Sequence, residues 1–136
     1  MDRYDPEIAP DAKDWLALEE TEQQSLVERY HRKAKLSAPN PSAHASFHVI
    51  VENQLATREP SNVVATLERL MHEGLSRHES IHAIASVATT HIYHQAKNGA
   101  APTLADYAAD LNRLTVESWH AEYGENEEDE LEDEKE

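Results

Sequence analysis

SRHESIHAIASVATTHIYHQAKN, Ser76 to Asn98, is the stretch on which the fold turns. From Ser80 to Gln95 it contains no Asp, Glu, Lys or Arg, in a chain that is 29% charged. A helix that is apolar or small nearly all round is a buried one. His82, His91, His94 and Gln95 within it make a membrane span a poor reading. Ser76 and Glu79 stand in the S-x-x-E spacing of a capping box, in which each side chain satisfies the other residue's backbone N–H. Asn98-Gly99 supplies a stop. The pattern predicts a buried central helix over about 76–97, around which the other helices pack.

Working outward, Ser61 or Asn62 caps a helix carrying Val63, Val64, Leu67, Leu70 and Met71, which Gly74 ends. A helix from Ser42 to about Ala56 precedes it, and Pro60 closes the connection. Thr21 with Gln24 resembles another capping box and opens a run with Leu26, Val27, Tyr30 and Ala34 on one side. The SAPNP segment, Ser37 to Pro41, ends that run, because proline restricts itself and the residue before it. Asp11 caps a first short helix bearing Trp15, Leu16 and Leu18. On the far side, Thr103 with Asp106 starts a last helix bearing Leu104, Tyr107, Leu111, Leu114 and Trp119. The expected fold is all-α: a compact bundle of five or six helices in one domain, residues 1–124, with no strand.

Composition excludes several classes. The 136 residues include no cysteine, so a disulfide scaffold, a thiolate metal site and a cysteine nucleophile are all absent. A chain of this length buries a real core without staples. The net charge is −15, and residues 125–136 hold nine acids against one lysine, which leaves −7 for residues 1–124. Such a like-charge block reads as a disordered acidic tail, a solubility device or a contact for a protein partner. The acidic body argues against nucleic acid or an anionic membrane as partner. The start, MDRYDPEIAP, lacks a signal sequence pattern, and no apolar run reaches membrane-span length, so a cytoplasmic location is expected. A homo-oligomer remains an open alternative for the partner.

Histidines four apart on a helix are rotated by about 40° and separated by about 6 Å, so both rings can reach one ion. His78 and His82 have that spacing, on the side that also carries Ile81, Ala85, Thr89 and Ile92. His44, His48 and Glu52 repeat it on the Ser42 helix, beside an apolar stripe of Phe47, Val51 and Leu55. Both polar stripes sit at the edge of buried faces, where bundle proteins place metal ligands. His48, His78 and His82 are the first three candidate ligands, Glu52 the fourth and His44 a fifth. Gln54 is placed to orient a ligand from outside the site. The donor set suits a divalent transition metal, zinc first, with iron, manganese or nickel as alternatives. His91 and His94 point away from the pair by about 140–220°. His31, His72 and His120 lie among charged residues and read as surface.

The letters HESIH also fit H-E-x-x-H, in which two histidines bind zinc and the glutamate activates water. Against that reading, Glu79 already has a place in the capping box, the helix runs on about four turns, and no strand is available to hold a peptide. Glu79 is therefore a weak candidate for a catalytic base. The competing class is a non-enzymatic interaction or regulatory protein whose histidines are hydrogen-bonding core groups.

Three segments carry a family resemblance: WLALEETEQQSLVERYHRKA (Trp15 to Ala34), HASFHVIVENQL (His44 to Leu55) and TLERLMHEGLSRHESIHAIASV (Thr66 to Val87). Through them residues 11–97 resemble an uncharacterised bacterial family of small helical proteins, a domain of unknown function. Its motifs, H-x-x-x-H-x-x-x-E-x-Q and R-H-[ED]-x-x-H-A-I, place His44, His48, Glu52, Gln54, His78 and His82 at polar positions. The resemblance implies that aspartate can stand at Glu79, which fits a helix cap better than an obligatory base. A looser likeness, to metal-binding bundles of the DinB type, implies one early histidine meeting a later H-x-x-x-H pair, here His48 with His78 and His82.

Overall fold

In the computed structural model, residues 1–36, 40–99 and 103–122 are described, and they form helices with no strand among them. In chain order these are α1 (Ala12–Ala17), α2 (Glu20–Lys33), α3 (Pro41–Thr57), α4 (Val63–His72), α5 (Arg77–Asn98), α6 (Leu104–Arg113) and α7 (116–122). The expected acidic tail, 125–136, lies outside the described residues. No described helix is long and apolar enough to cross a membrane.

The helix ends follow local chemistry, with two differences from the sequence reading. The α2 box is formed by Glu19 and Glu22, with the Glu19 N–H donating to Glu22 Oε1 at 3.1 Å, not by Thr21 and Gln24. Glu19 stands at a cap position where Ser, Thr, Asp or Asn is the usual residue. The expected last helix is two helices. Leu114 and Thr115 leave helical geometry, and Thr115 then caps α7 reciprocally with Ser118 at 2.9 and 3.0 Å. A T-x-x-S box inside an apolar pattern thus restarts the chain in a new direction. Arg69 of α4 donates to the Leu111 and Leu114 carbonyls at the C-terminal end of α6. Asn40 caps α3, accepting from the Ala43 N–H at 3.1 Å, with Pro41 in the first helical position. Gly74 takes φ +115° after α4, a conformation that L side chains rarely adopt.

Two apolar clusters divide the interior. One, built by α1, α2, α3 and the N-terminal segment, contains Tyr4, Trp15, Leu26, Val27, Ala45 and Val49. The other gathers Val51 of α3 with Leu67 and Leu70 of α4, Ile81 and Ile84 of α5, Leu111 of α6 and Trp119 of α7. The helix α3 belongs to both. At 100° per residue, Val51 and Val49 lie about 160° apart around it, and His44, His48 and Glu52 fall in the arc between them. The polar stripe therefore occupies the seam where the two cores meet, opposite α5.

Helix α5 is central only for its first half. Ile81, Ala83 and Ile84 are fully buried, whereas Ile92 and Tyr93 are 45% and 59% exposed. The uncharged run was expected to be buried along its whole length, but its C-terminal turns extend past the helices that cover the first ones. Its Ser and Thr hydroxyls satisfy themselves locally, Ser80, Ser86, Thr89 and Thr90 each donating to the carbonyl four residues back.

The two isoleucines provide a controlled comparison within one helix. Ile84→Ala is expected to cost about 2–5 kcal/mol, the range for buried aliphatic truncation. Ile92→Ala should cost less than about 0.5 kcal/mol, as for other exposed sites. Urea denaturation of the two variants measures the difference, and equal costs would contradict the half-buried helix.

Candidate metal centre

Helix α5 begins as its letters suggest. The Ser76 N–H donates to Glu79 Oε1 at 2.9 Å and the Glu79 N–H to Ser76 Oγ at 3.0 Å. This box sets the register that turns His78 and His82 toward α3. The His48 Nε2 atom lies 3.2 Å from His78 Nε2 and 3.1 Å from His82 Nε2. His44 Nε2 lies 3.1 Å from His31 Nε2 of α2, and the His44 and His82 ring centroids are 4.9 Å apart. One ring nitrogen from each of His31, His44, His48, His78 and His82 falls within 4.8 Å of all the others, a group that could hold a metal ion.

His48 and His78 are 1% and 6% exposed and His82 9%, whereas His31 and His44 are half-buried. The triad is thus the deep end of the cluster and the α2–α3 pair the outer end. His31 was read as surface and is instead a member. The signal was present: His31 follows Val27 by four, so it shares that apolar side of α2 despite its charged neighbours.

Glu52 was expected as the fourth ligand, and its carboxylate is engaged elsewhere. Arg77 Nη1 and Nη2 donate to Glu52 Oε2 and Oε1, each at 2.8 Å, in a bidentate pair 6% and 1% exposed. The Tyr4 hydroxyl adds a 2.5 Å bond to Oε2. Burial first, and the Glu52 charge second, hold the Tyr4 phenol well above its ordinary 10, so it keeps its proton. Arg77 immediately precedes a histidine in the motif, yet its partner was not legible from spacing. Gln54, expected to orient a ligand, instead accepts from the Tyr107 hydroxyl at 2.7 Å on the other side of α3. His91 pairs with Asp110 at 2.5 Å, away from the cluster, and His72, His94 and His120 are exposed.

Hydrogen bonds orient the His31 and His48 rings. Val27 O can only accept, so His31 Nδ1, 2.8 Å away, carries the proton and leaves Nε2 with its lone pair facing the cluster. His48 Nδ1 lies 3.3 Å from the Tyr4 oxygen. Because that phenol donates to Glu52, His48 Nδ1 is the donor here and its Nε2 lone pair also faces inward. Protonation is strongly disfavoured at His48 and His78. Burial, and then the charge that His82 and His78 would add, push His48 well below 6.5. Burial, with His82 next, lowers His78 to about 2. His48 and His78 therefore enter the cluster as neutral bases.

A family model described as a domain of unknown function (DUF1841) matches residues 10–113, so the chain belongs to that family. No curated protein and no solved structure matches it. The matched stretch contains all five histidines and begins after Tyr4.

The depressed histidines have a consequence for stability. Below about pH 6.5 the unfolded chain takes up protons that folded His48 and His78 refuse. Stability should therefore be complete above that pH and fall steadily as the pH drops toward 2, by about 1.4 kcal/mol per unit for each histidine. Denaturant titrations of metal-free protein between pH 7.5 and 4.5 measure the slope. A His48→Gln, His78→Gln double variant should flatten it.

Proposed function

We propose that the protein binds one divalent transition metal ion through the imidazoles of His48, His78 and His82, with His44 and His31 completing the coordination. The observation that carries this reading is the convergence of five ring nitrogens at a buried seam. Two nitrogens held at ordinary metal–imidazole lengths of about 2.0–2.1 Å stand about 2.8–3.4 Å apart, from cis six-coordinate to four-coordinate geometry. The spacings of 3.1 and 3.2 Å around His48 fall in that range. Without an ion, His48 Nε2 has one lone pair to offer two neighbouring rings. A cation accepts from all of them together.

The donor set is nitrogen throughout once Glu52 is committed to Arg77. Such a set suits zinc, iron, nickel or copper better than manganese, which favours oxygen ligands. Five donors around one ion leave at most one position of an octahedron for water or a small ligand. The ion enters from the half-buried His31 and His44 end and settles against the deep triad. The protein's role is then that of a metal-dependent or metal-carrying helical domain rather than a protease of the H-E-x-x-H type, because the Glu79 carboxylate is spent on the helix cap.

Titration of untagged, metal-stripped protein with Zn(II) and Ni(II) tests the reading. About one equivalent is expected to bind, stabilising the fold by about 2.7 kcal/mol at a hundredfold excess over Kd. His78→Gln and His82→Gln should lose the binding, while His72→Gln, on the exposed end of α4, should keep it. Uptake far below one equivalent, with no thermal shift for zinc, iron, nickel or copper, leaves the cluster as a metal-free core. Glu79 is read separately. Glu79→Gln should retain metal at little cost, since glutamine also serves in a capping box. Glu79→Ala should lose about 1 kcal/mol of stability.

A further inference from the structure

The N-terminal segment reaches the histidine cluster at several points. Tyr4 is 4% exposed, and its ring packs against Trp15 and Tyr30 with centroids 5.5 and 6.3 Å apart. Its hydroxyl bonds Glu52 Oε2 at 2.5 Å and faces His48 Nδ1 at 3.3 Å. Arg77 Nη1 donates to the Pro6 carbonyl at 2.9 Å, and Glu7 Oε1 accepts from the His78 N–H at 3.3 Å. Farther out, Arg29 donates to the Asp2 carbonyl at 3.3 Å. Residues 2–7 are thus tied to α2, α3 and the first turn of α5, all three helices that supply histidines.

We propose that Tyr4 is the positioning residue of His48, and that the segment it anchors is a working part of the histidine site. Glu52, paired with Arg77, also accepts the phenolic O–H, which leaves only the Tyr4 oxygen lone pairs to face His48. The imidazole must donate Nδ1–H to them and turn its bare Nε2 toward His78 and His82. The relay runs from His48 to Tyr4 to Glu52, with Arg77 holding the far end. Its carboxylate strengthens Tyr4 as an acceptor and so raises the basicity of Nε2, as partners behind metal-bound histidines do. Tyr4 lies before the family-matched stretch, so the site draws on chain outside it. The consequence for metal rests on the reading in the previous subsection, whereas the choice of tautomer does not.

Tyr4→Phe removes the hydroxyl and keeps the ring that packs on Trp15. Two readouts are taken on the full chain. Long-range 1H–15N correlation of metal-free protein reports the His48 tautomer. The wild type should show Nδ1–H alone and Tyr4→Phe a mixture with Nε2–H. Titration with Co(II) alone should then give a 10–100-fold weaker affinity for the variant, the usual cost of losing such a partner, with an altered d–d absorption spectrum. An Nε2–H tautomer in the wild type overturns the proposal without any variant. So does Tyr4→Phe with unchanged tautomer, affinity and spectrum. Wild-type protein that takes up no Co(II), while Tyr4→Phe still shifts the tautomer, removes the metal reading and upholds Tyr4 as the positioning residue.

Discussion

The buried pair of Glu52 and Arg77 is the constraint around which the molecule is organised. Both charges lie out of water, and the planar guanidinium fork meets both carboxylate oxygens at 2.8 Å. Desolvating two charges is expensive, and removing either partner alone costs about 3–5 kcal/mol because the other is left uncompensated. The pair therefore exists only in the one arrangement that satisfies it. That arrangement brings α3 and α5 together at a single register, with the Pro6 carbonyl accepting a further bond from Arg77 and Tyr4 donating one to Glu52. His48 stands one turn before Glu52 and His82 five residues after Arg77, and their ring nitrogens meet at 3.1 Å.

The position of the cluster follows from the two cores. Helix α3 gives Val49 to one and Val51 to the other, so its polar residues have only the seam between them. Arginine, tyrosine and carboxylate there stabilise one another in a low-dielectric setting, where each bond is stronger and each unpaired group more costly. His48 and His78 remain neutral in the same setting, because a proton on either is opposed by burial and by its neighbours. Ring nitrogens of five histidines held within 4.8 Å of one another form a donor set that a cation can accept from together. This is the physical basis of the proposed metal site, and it explains why a charged network and an uncharged one lie side by side on α3.

Much of this was legible before any coordinates. The i,i+4 pairs His44/His48 and His78/His82, the Ser76–Glu79 box and the all-helical class depend on periodicity and on chemistry between residues three or four apart. Those are properties of a single helix. The same logic contained His31, four residues after Val27 on the apolar side of α2, although its charged neighbours obscured it. It also contained the T-x-x-S box at Thr115 that divides the last helical run.

Other features could not be read from one helix at a time. Glu52 has ligand spacing on α3, but Arg77 arrives from 25 residues away and takes both its oxygens. Gln54 faces Tyr107 because α6 packs on that side. Tyr4 belongs to a segment with no periodicity, and its role exists only through contacts 44 and 48 residues distant. An uncharged run marks α5 as buried, yet how far the burial extends depends on where its neighbours end. By itself the sequence determined which residues share a helix face, since that needs only 3.6 residues per turn. Tertiary structure alone decided which faces meet and which partner claims each polar atom, because a buried group binds whatever the packing brings within 3 Å of it.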